Sequence, residues 1–447
     1  MHLARYWSRA SLRQLITLAL PVIATSFMSM AYNFINMIFV GRLGSGAVAA
    51  VGSAGFFINL SWGISSLLAV GAGIKVSQSI GAKNVMLARS YVRSGIQATV
   101  IVAFLFYFVL LLAGNYLIGL VGLNNPGLEH SASGYLRLIG LSIPFTFQNL
   151  FFTSLFIGYG DSRSPFRINT TAIVINMVLD PVLIFAAGFG INGAAIGTVT
   201  AQGVATFLFY RKLFKTEELQ PRGIAFRRVL LKQIVSLGIS PTIQRVSFTL
   251  IAIGMARIIS EWGPTAIAVQ KVGIQIEAIS YMTAGGFMSA LSSISGKANG
   301  AKDYDGQWMA FCSGMILAVI IGLVTSATLI ALPGTLFSIF LNDSESLSMG
   351  REYLIILGYS QLFMCLELMA TGAFFGWGKT NIPAITGISL TLLRIPMALV
   401  FIHLWKHSLS SVWWSISISS IAKGTILVVL YIILFQLFLR KLNPVKS

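Results

Sequence analysis

Acidic side chains are scarce: 13 Asp and Glu stand against 31 Lys and Arg in 447 residues, and charged residues of every kind make up only 10%. A soluble domain usually carries about a quarter charged residues, so this composition excludes an ordinary soluble globule. Cysteine is nearly absent as well. Cys312 and Cys365 both fall in apolar stretches, which makes them small fillers rather than a disulfide or a thiolate pair. None of the four histidines sits mid-span, and no His/Cys/carboxylate cluster has ligand spacing, so neither metal nor cofactor is expected. No phosphate-binding P-loop occurs, which argues against an ATP-driven pump and for an ion gradient as the energy source of any transport. Nothing has the pattern of a cleaved signal peptide, because Arg5, Arg9 and Arg13 lead straight into an apolar stretch.

Hydrophobic residues, by contrast, make up 56% of the chain, and the mean hydropathy is +0.82. Crossing a hydrocarbon core of ~30 Å takes about 20 apolar residues per helix. The sequence predicts twelve such segments, at 12–40, 47–74, 91–113, 133–157, 167–187, 192–213, 229–258, 265–291, 309–331, 350–375, 383–404 and 411–438. They are too long for barrel strands and lack dyad alternation. The expected fold is an all-α membrane protein.

A formal charge of +18 invites a nucleic-acid reading, but its distribution speaks against one. With the amino terminus in the cytoplasm, Arg5, Arg9, Arg13, Lys75, Lys83, Arg89, Arg93, Arg163, Arg167, the basic residues of 211–232 and Lys446 all lie inside. Only Arg42, Arg257, Arg351 and Lys406 fall in or beside outer loops. That bias is the positive-inside rule, and it predicts two cytoplasmic termini and no nucleic-acid partner.

The chain also repeats itself. Gly158-Tyr159-Gly160-Asp161-Ser162-Arg163-Ser164-Pro165 returns 218 residues later as Gly376-Trp377-Gly378-Lys379-Thr380-Asn381-Ile382-Pro383, and Tyr135 to Phe145 is echoed at the same offset by Tyr353 to Phe363. Gly81-Ala82-Lys83-Asn84 returns as Gly300-Ala301-Lys302-Asp303. The repeat predicts an amino-terminal lobe at 1–213, a cytoplasmic linker at 214–228 and a carboxy-terminal lobe at 229–447. Six spans per lobe leave the halves parallel, related by a pseudo-twofold axis along the membrane normal, as in many secondary transporters.

Polar groups at membrane depth are costly, so their positions are informative. Thr25, Ser29, Tyr32 and Asn36 share one face of the first span, downstream of Pro21, a mid-helix proline able to bend it. Asn169, Asn176 and Asp180 form a stripe on the fifth span, and Thr198 and Gln202 lie one turn apart on the sixth. Asp180 is the sole carboxylate of the first six spans and the candidate proton carrier, with Asn176 one turn away as an expected hydrogen-bond donor to it. Capping of a helix segment before Pro181 is the structural alternative. At the repeat offset Asp180 corresponds to Ala398, while the second half holds Arg245, Lys271, Glu277, Glu367, Arg394 and Lys423, read as neutralising pairs or a second ion site. Met28 and Met37, with Ser29 and Gln202, are candidate cavity residues, since thioethers adapt to many ligand shapes. A methionine on a membrane helix more often faces lipid or core.

Together these features resemble the multidrug and toxic compound extrusion (MATE) family, and within it the DinF-like bacterial branch. The resemblance covers nearly the whole chain. It rests on Pro21, Asn33-Phe34, Val40-Gly41-Arg42-Leu43-Gly44, Gly81 to Asn84, the paired Gly-aromatic-Gly turns and Asn176-x-x-x-Asp180-Pro181. It implies a non-enzymatic antiporter in the bacterial cytoplasmic membrane, exporting amphipathic, often cationic drugs or dyes in exchange for protons. Tyr32, Asn36, Asn176, Asp180 and Thr198 would form the proton-coupling network, and Pro21 would be the bend point. One position departs from the family pattern: where Asn36 stands, the family ordinarily has an aspartate. Either Asp180 alone carries coupling, or the chain is an Asp-to-Asn variant held in its proton-loaded form. The rival functions are a lipid-linked-oligosaccharide flippase of the same superfamily and a sodium-coupled drug antiporter.

Overall fold

The computed structural model describes residues 9–121, 123, 125–341, 343–404 and 408–442. Arg5, Lys406 and Lys446, which entered the charge argument, lie outside the described residues. In membrane-spanning chains every backbone polar group must be satisfied within its own segment, and the described residues accordingly form helices and no strands. In chain order these are α1 (Arg9–Gly41), α2 (Ser45–Gly81), α3 (Val85–Val121), α4 (Pro126–Gly140), α5 (Ile143–Tyr159), α6 (Arg163–Pro181), α7 (Ile191–Lys215) and α8 (Arg228–Ile259). They continue as α9 (Pro264–Gly300), α10 (Tyr304–Ala331), the short α11 (Pro333–Phe337), α12 (Ser344–Trp377), α13 (Asn381–Leu392), α14 (Arg394–Leu404) and α15 (Leu409–Leu442).

Among the described residues nine helical stretches are long and apolar enough to cross a membrane, or ten when α4 and α5, bent by 47° against each other, count as one broken span. The more polar α7 and α9 complete the twelve spans expected from sequence. The chain is thus a multi-pass, all-helical membrane protein.

The sequence echoes recur as matched turns. Lys83 and Lys302 both adopt left-handed backbone, at φ 55° and 57°. Asn84 and Asp303, next in sequence, then cap the following helices, Asn84 Oδ1 accepting from the Leu87 N–H at 3.0 Å and Asp303 Oδ1 from the Gly306 N–H at 2.9 Å. Gly160 and Gly378 end α5 and α12 with φ 99° and 81°, which a side chain would resist. The glycines two positions earlier have another use. A Cβ on Gly158 would stand 2.3 Å from the Gly73 carbonyl oxygen, and one on Gly376 2.6 Å from the Gly296 nitrogen. Small residues there let α5 close on α2, and α12 on α9.

The chain divides into two compact units, 24–242 and 1–23 with 243–447. Both divisions fall inside helices, within two residues of Pro21 in α1 and Pro241 in α8. A proline interrupts the ladder by withholding its N–H from the carbonyl four residues back, so each helix is weakest where it passes from one unit to the other. In the first unit α2 packs on α3, α4 and α5, and α6 on α7, around Phe147, Phe151, Phe152, Phe156 and Phe209. The early part of α8 belongs here, with the Ile234 backbone against Gly71. In the second unit α12 is the central helix, contacting α9, α10 and α15. The start of α1 joins it through Ser11 and Ser313, whose hydroxyls lie 3.3 Å apart.

A buried carboxylate network as candidate functional site

Pro181 ends α6, and a single π-helical turn, Val182–Ala186, follows. Such turns widen the backbone and are frequent at functional sites. Asp180 stands just before this break and is completely buried. Its Oδ2 accepts a hydrogen bond from the Tyr32 hydroxyl on α1 at 3.0 Å. Two further contacts hold the same stretch of α1 to α6 and its extension: the Thr170 hydroxyl donates to the Met28 sulfur at 3.3 Å, and Phe39 meets Phe185 edge-on at 6.2 Å.

Asn176 does not donate to Asp180 as expected from their one-turn spacing. Its Nδ2 points instead to Thr198 Oγ1 on α7, at 3.3 Å, and the Thr198 hydroxyl donates to the Ala194 carbonyl at 3.0 Å. The correction has a simple cause: neighbours one turn apart on a helix surface still choose between each other and the facing helix, and α7 offers an acceptor. Asp180 Oδ1, Asn176 Oδ1 and Asn36 Oδ1 are buried and meet no donor among the described residues. Asp180 has no ion-pair partner there either.

Gly197 brings the first two of these oxygens together. A Cβ on it would lie 2.6 Å from Asp180 Oδ1 and 3.0 Å from Asn176 Oδ1. Sequence reasoning missed Gly197, although Gly193-x-x-x-Gly197 is a small-residue spacing of the kind that lets membrane helices touch. Gly193 likewise abuts the Leu183 backbone.

The candidate cavity residues do not join this network. Ser29 bonds back to the Thr25 carbonyl at 2.9 Å, Met28 accepts from Thr170, and Met37 is 51% exposed. Gln202 belongs to a separate cluster, its Oε1 accepting from Asn149 Nδ2 at 2.7 Å while Thr206 donates to Asn149 Oδ1 at 2.9 Å. Asn169 of the fifth-span stripe turns to Thr153 at 3.2 Å. In the other unit Lys423 and Glu367 form a buried pair at 3.1 Å, and Arg394 donates to Ser419 at 2.6 Å and Ser420 at 2.9 Å. Glu277 keeps one oxygen buried without a donor. No group of three His, Cys, Asp or Glu among the described residues is arranged to hold a metal ion.

The MatE family model matches residues 21–182 and 242–400, one copy in each half of the repeat. This chain belongs to the MatE family. Its members are transporters, not enzymes. The chain is 27% identical over 429 residues to the probable multidrug resistance protein NorM of Thermotoga maritima, covering 93% of this chain and 90% of that one. It is also 27% identical over 420 residues to the probable multidrug resistance protein YoeA of Bacillus subtilis, covering 90% and 89%. Among solved structures, an outward-facing multidrug resistance MATE family transporter superposes with a TM-score of 0.89 at 20% identity, over 95% of this chain and 96% of that one. That last likeness concerns the fold.

Proposed function

We propose that this chain is a proton-coupled multidrug efflux antiporter of the bacterial cytoplasmic membrane, exporting amphipathic, often cationic compounds by alternating access. The family and the names of the relatives support export of drugs. The observation that carries proton coupling is Asp180: a buried carboxylate bonded by Tyr32 and opposed by no cation among the described residues. Ionised, it is a buried negative charge held by one hydroxyl. Protonated, it is neutral and gains a donor of its own, with Asn176 Oδ1 beside Gly197 as a nearby acceptor. The change alters the bond that Tyr32 makes, and therefore how α1 is held against α6. Pro21 is the point at which α1 has least resistance to bending. In this reading Asp180 carries the proton, Tyr32, Asn176, Thr198 and Asn36 form its surroundings, and Ser29, Met28, Met37 and Gln202 contribute to the drug path.

The strong excess of Lys and Arg on one set of loops supports cytoplasmic termini, with halves at 1–213 and 229–447 joined by a cytoplasmic linker at 214–228. A second reading, sodium as the coupling ion, is favoured by the donor-free oxygens of Asp180 and Asn176 that meet beside Gly197, since oxygen sets of this type suit hard cations. Proteoliposomes containing the parent chain or Asp180→Asn test both. A pH gradient alone should drive drug flux through the parent and not through Asp180→Asn. Flux that follows a sodium gradient and ignores pH would transfer the assignment to sodium, and undiminished pH-driven flux in the variant would remove Asp180 from the mechanism.

A further inference from the structure

The connector between α7 and α8 borders an open pocket of about 600 Å³, lined by Arg93 of α3, Phe214 at the end of α7, and Pro221, Arg222, Gly223, Ile224 and Ala225. The segment does not hang free. Leu219 is fully buried, the Arg89 side chain donates to the Glu217 carbonyl at 2.9 Å, and the Arg227 N–H donates to the Ser94 hydroxyl at 3.3 Å. Between these anchors residues 221–225 form one side of the pocket, turning at Gly223 with φ 69°.

The lining has a definite chemistry. It contains two guanidinium groups and no carboxylate. Arg93 Nε is buried and meets no acceptor among the described residues. Arg222 rests over the Phe214 ring, its Cζ 5.5 Å from the centroid, an arrangement that holds the group without neutralising it. The nearby acids are engaged elsewhere: Asp161 pairs with Lys212 at 3.6 Å, and Glu218 lies against the Tyr159 hydroxyl. The backbone N–H groups of Arg222, Gly223 and Ala225 meet no backbone acceptor among the described residues, while Ile224 closes the turn at 222–223. A buried guanidinium nitrogen without an acceptor, a second guanidinium beside it, open backbone N–H groups and the lack of a competing acid in the lining suit an oxyanion.

We propose that this pocket binds a phosphate-bearing anion, gripped by Arg93 and Arg222 and by the N–H groups that the turn at 222–225 leaves open, and that its occupancy fastens the connector to α3. Two sources supply that chemistry at a membrane edge: the headgroup of an anionic phospholipid and a soluble phosphate compound. Basic pockets between membrane helices are suited to the first. The positive-inside rule accounts for basic residues in this connector generally, but not for the Arg93 Nε being buried at the pocket without an acceptor. The proposal stands independently of which ion drives transport.

The test is backbone hydrogen exchange across 216–227 in the full-length protein, held in nanodiscs of phosphatidylcholine alone. One arm replaces part of the lipid with phosphatidylglycerol, and the other adds inorganic phosphate or pyrophosphate. Exchange at 222–225 should slow several-fold in at least one arm, the responding arm identifying the source. The protection should vanish in Arg222→Gln, at an exposed position that the fold does not depend on, and in Arg93→Gln where that variant folds. It should persist in Arg228→Gln, which removes an exposed charge outside the pocket. Exchange that responds to neither source overturns the proposal. So does protection that is the same in Arg222→Gln as in the parent, or that is lost equally in Arg228→Gln, because either result means diffuse attraction to charge.

Discussion

The Tyr32 hydroxyl donates to Asp180 Oδ2 at 3.0 Å, joining α1 to α6 through residues 148 apart in sequence. Tyr32 sits eleven residues after Pro21, in the part of α1 that belongs to the 24–242 unit, so the bond ties that stretch of the helix to the buried Asp180 carboxylate. Hydrogen bonds to charged groups contribute roughly 1.5–3 kcal/mol. Tyr32→Phe should therefore lower pH-driven efflux by about one to two orders of magnitude at equal expression. Full activity in Tyr32→Phe, alongside an inactive Asp180→Asn, would mean that the carboxylate works without α1.

The paired glycines make a stability prediction. Gly158→Ala pushes a methyl group to 2.3 Å from the Gly73 carbonyl oxygen, a backbone atom that cannot rotate away. Overpacking of this type costs about 1–3 kcal/mol. Thermal unfolding in detergent should shift down for Gly158→Ala and, by the same reasoning at Gly296, for Gly376→Ala. Gly52→Ala is the control, because its added Cβ would meet nothing within 4 Å. Equal melting of all three variants and the parent would show that the close approaches do not hold the helices together.

These glycines also mark what the sequence could reveal. Their recurrence with Gly160 and Gly378 identified the repeat, because a tight turn restricts residue type whatever lies around it. The polar stripe of α1 was legible for a similar reason: 3.6-residue periodicity puts Tyr32 and Asn36 on one face without knowledge of the neighbours. Asn176 is the contrary case. Its choice of Thr198 over Asp180 depends on how α7 approaches, which no spacing within α6 encodes. The division of the chain near Pro21 and Pro241 was equally hidden. Hydropathy locates where a chain enters and leaves a membrane, and it registers the hydrophilic 211–228 connector, but it cannot tell which helices a given turn packs against.

Asp161 predicts a pH effect away from the spans. Partial burial pushes its carboxyl up, but hydrogen bonds from the Ser164 side chain and N–H, together with the Lys212 charge, outweigh this and hold it below its ordinary value. A depressed carboxyl contributes stability above its unfolded pKa and loses it as pH falls through the folded one. The parent should thus lose melting temperature below about pH 4, and Asp161→Asn should lack part of that loss while being less stable at pH 7. The effect is small because the pair is partly exposed to solvent. Parallel melting curves for the two chains from pH 7 to pH 3 would contradict it.

Lys423 and Glu367 form a pair in which both side chains are almost enclosed, at 7% and 10% exposure. Removing one member leaves the other's charge without its ion-pair partner, at a cost of about 3–5 kcal/mol, whereas removing both is far milder. Lys423→Met should destabilise the protein strongly, and Lys423→Met with Glu367→Gln should recover most of the loss. If the double variant melts no higher than the single one, the lysine acts through packing on Phe248, over whose ring its ammonium lies at 5.3 Å, rather than through charge.

Asn36 lies one helical turn beyond Tyr32, and its side-chain oxygen is buried without a donor among the described residues. An amide has nearly the size and hydrogen-bonding reach of a carboxylic acid but never changes charge. A helix that carries an amide here has one fewer group through which a proton can alter it, since a conformational equilibrium shifts only by differential interaction with its two states. Asn36→Asp should therefore add a titrating site, raise pH-driven efflux and steepen its dependence on pH. The measurement is drug flux in proteoliposomes across pH for both chains, with Asp180→Asn combined with Asn36→Asp as a third. Rescue of Asp180→Asn by the new aspartate would show that either position can carry the proton. Lower flux in Asn36→Asp would mean that a second buried negative charge repels the first and that the amide is the working residue, while superimposable profiles would exclude position 36 from coupling altogether.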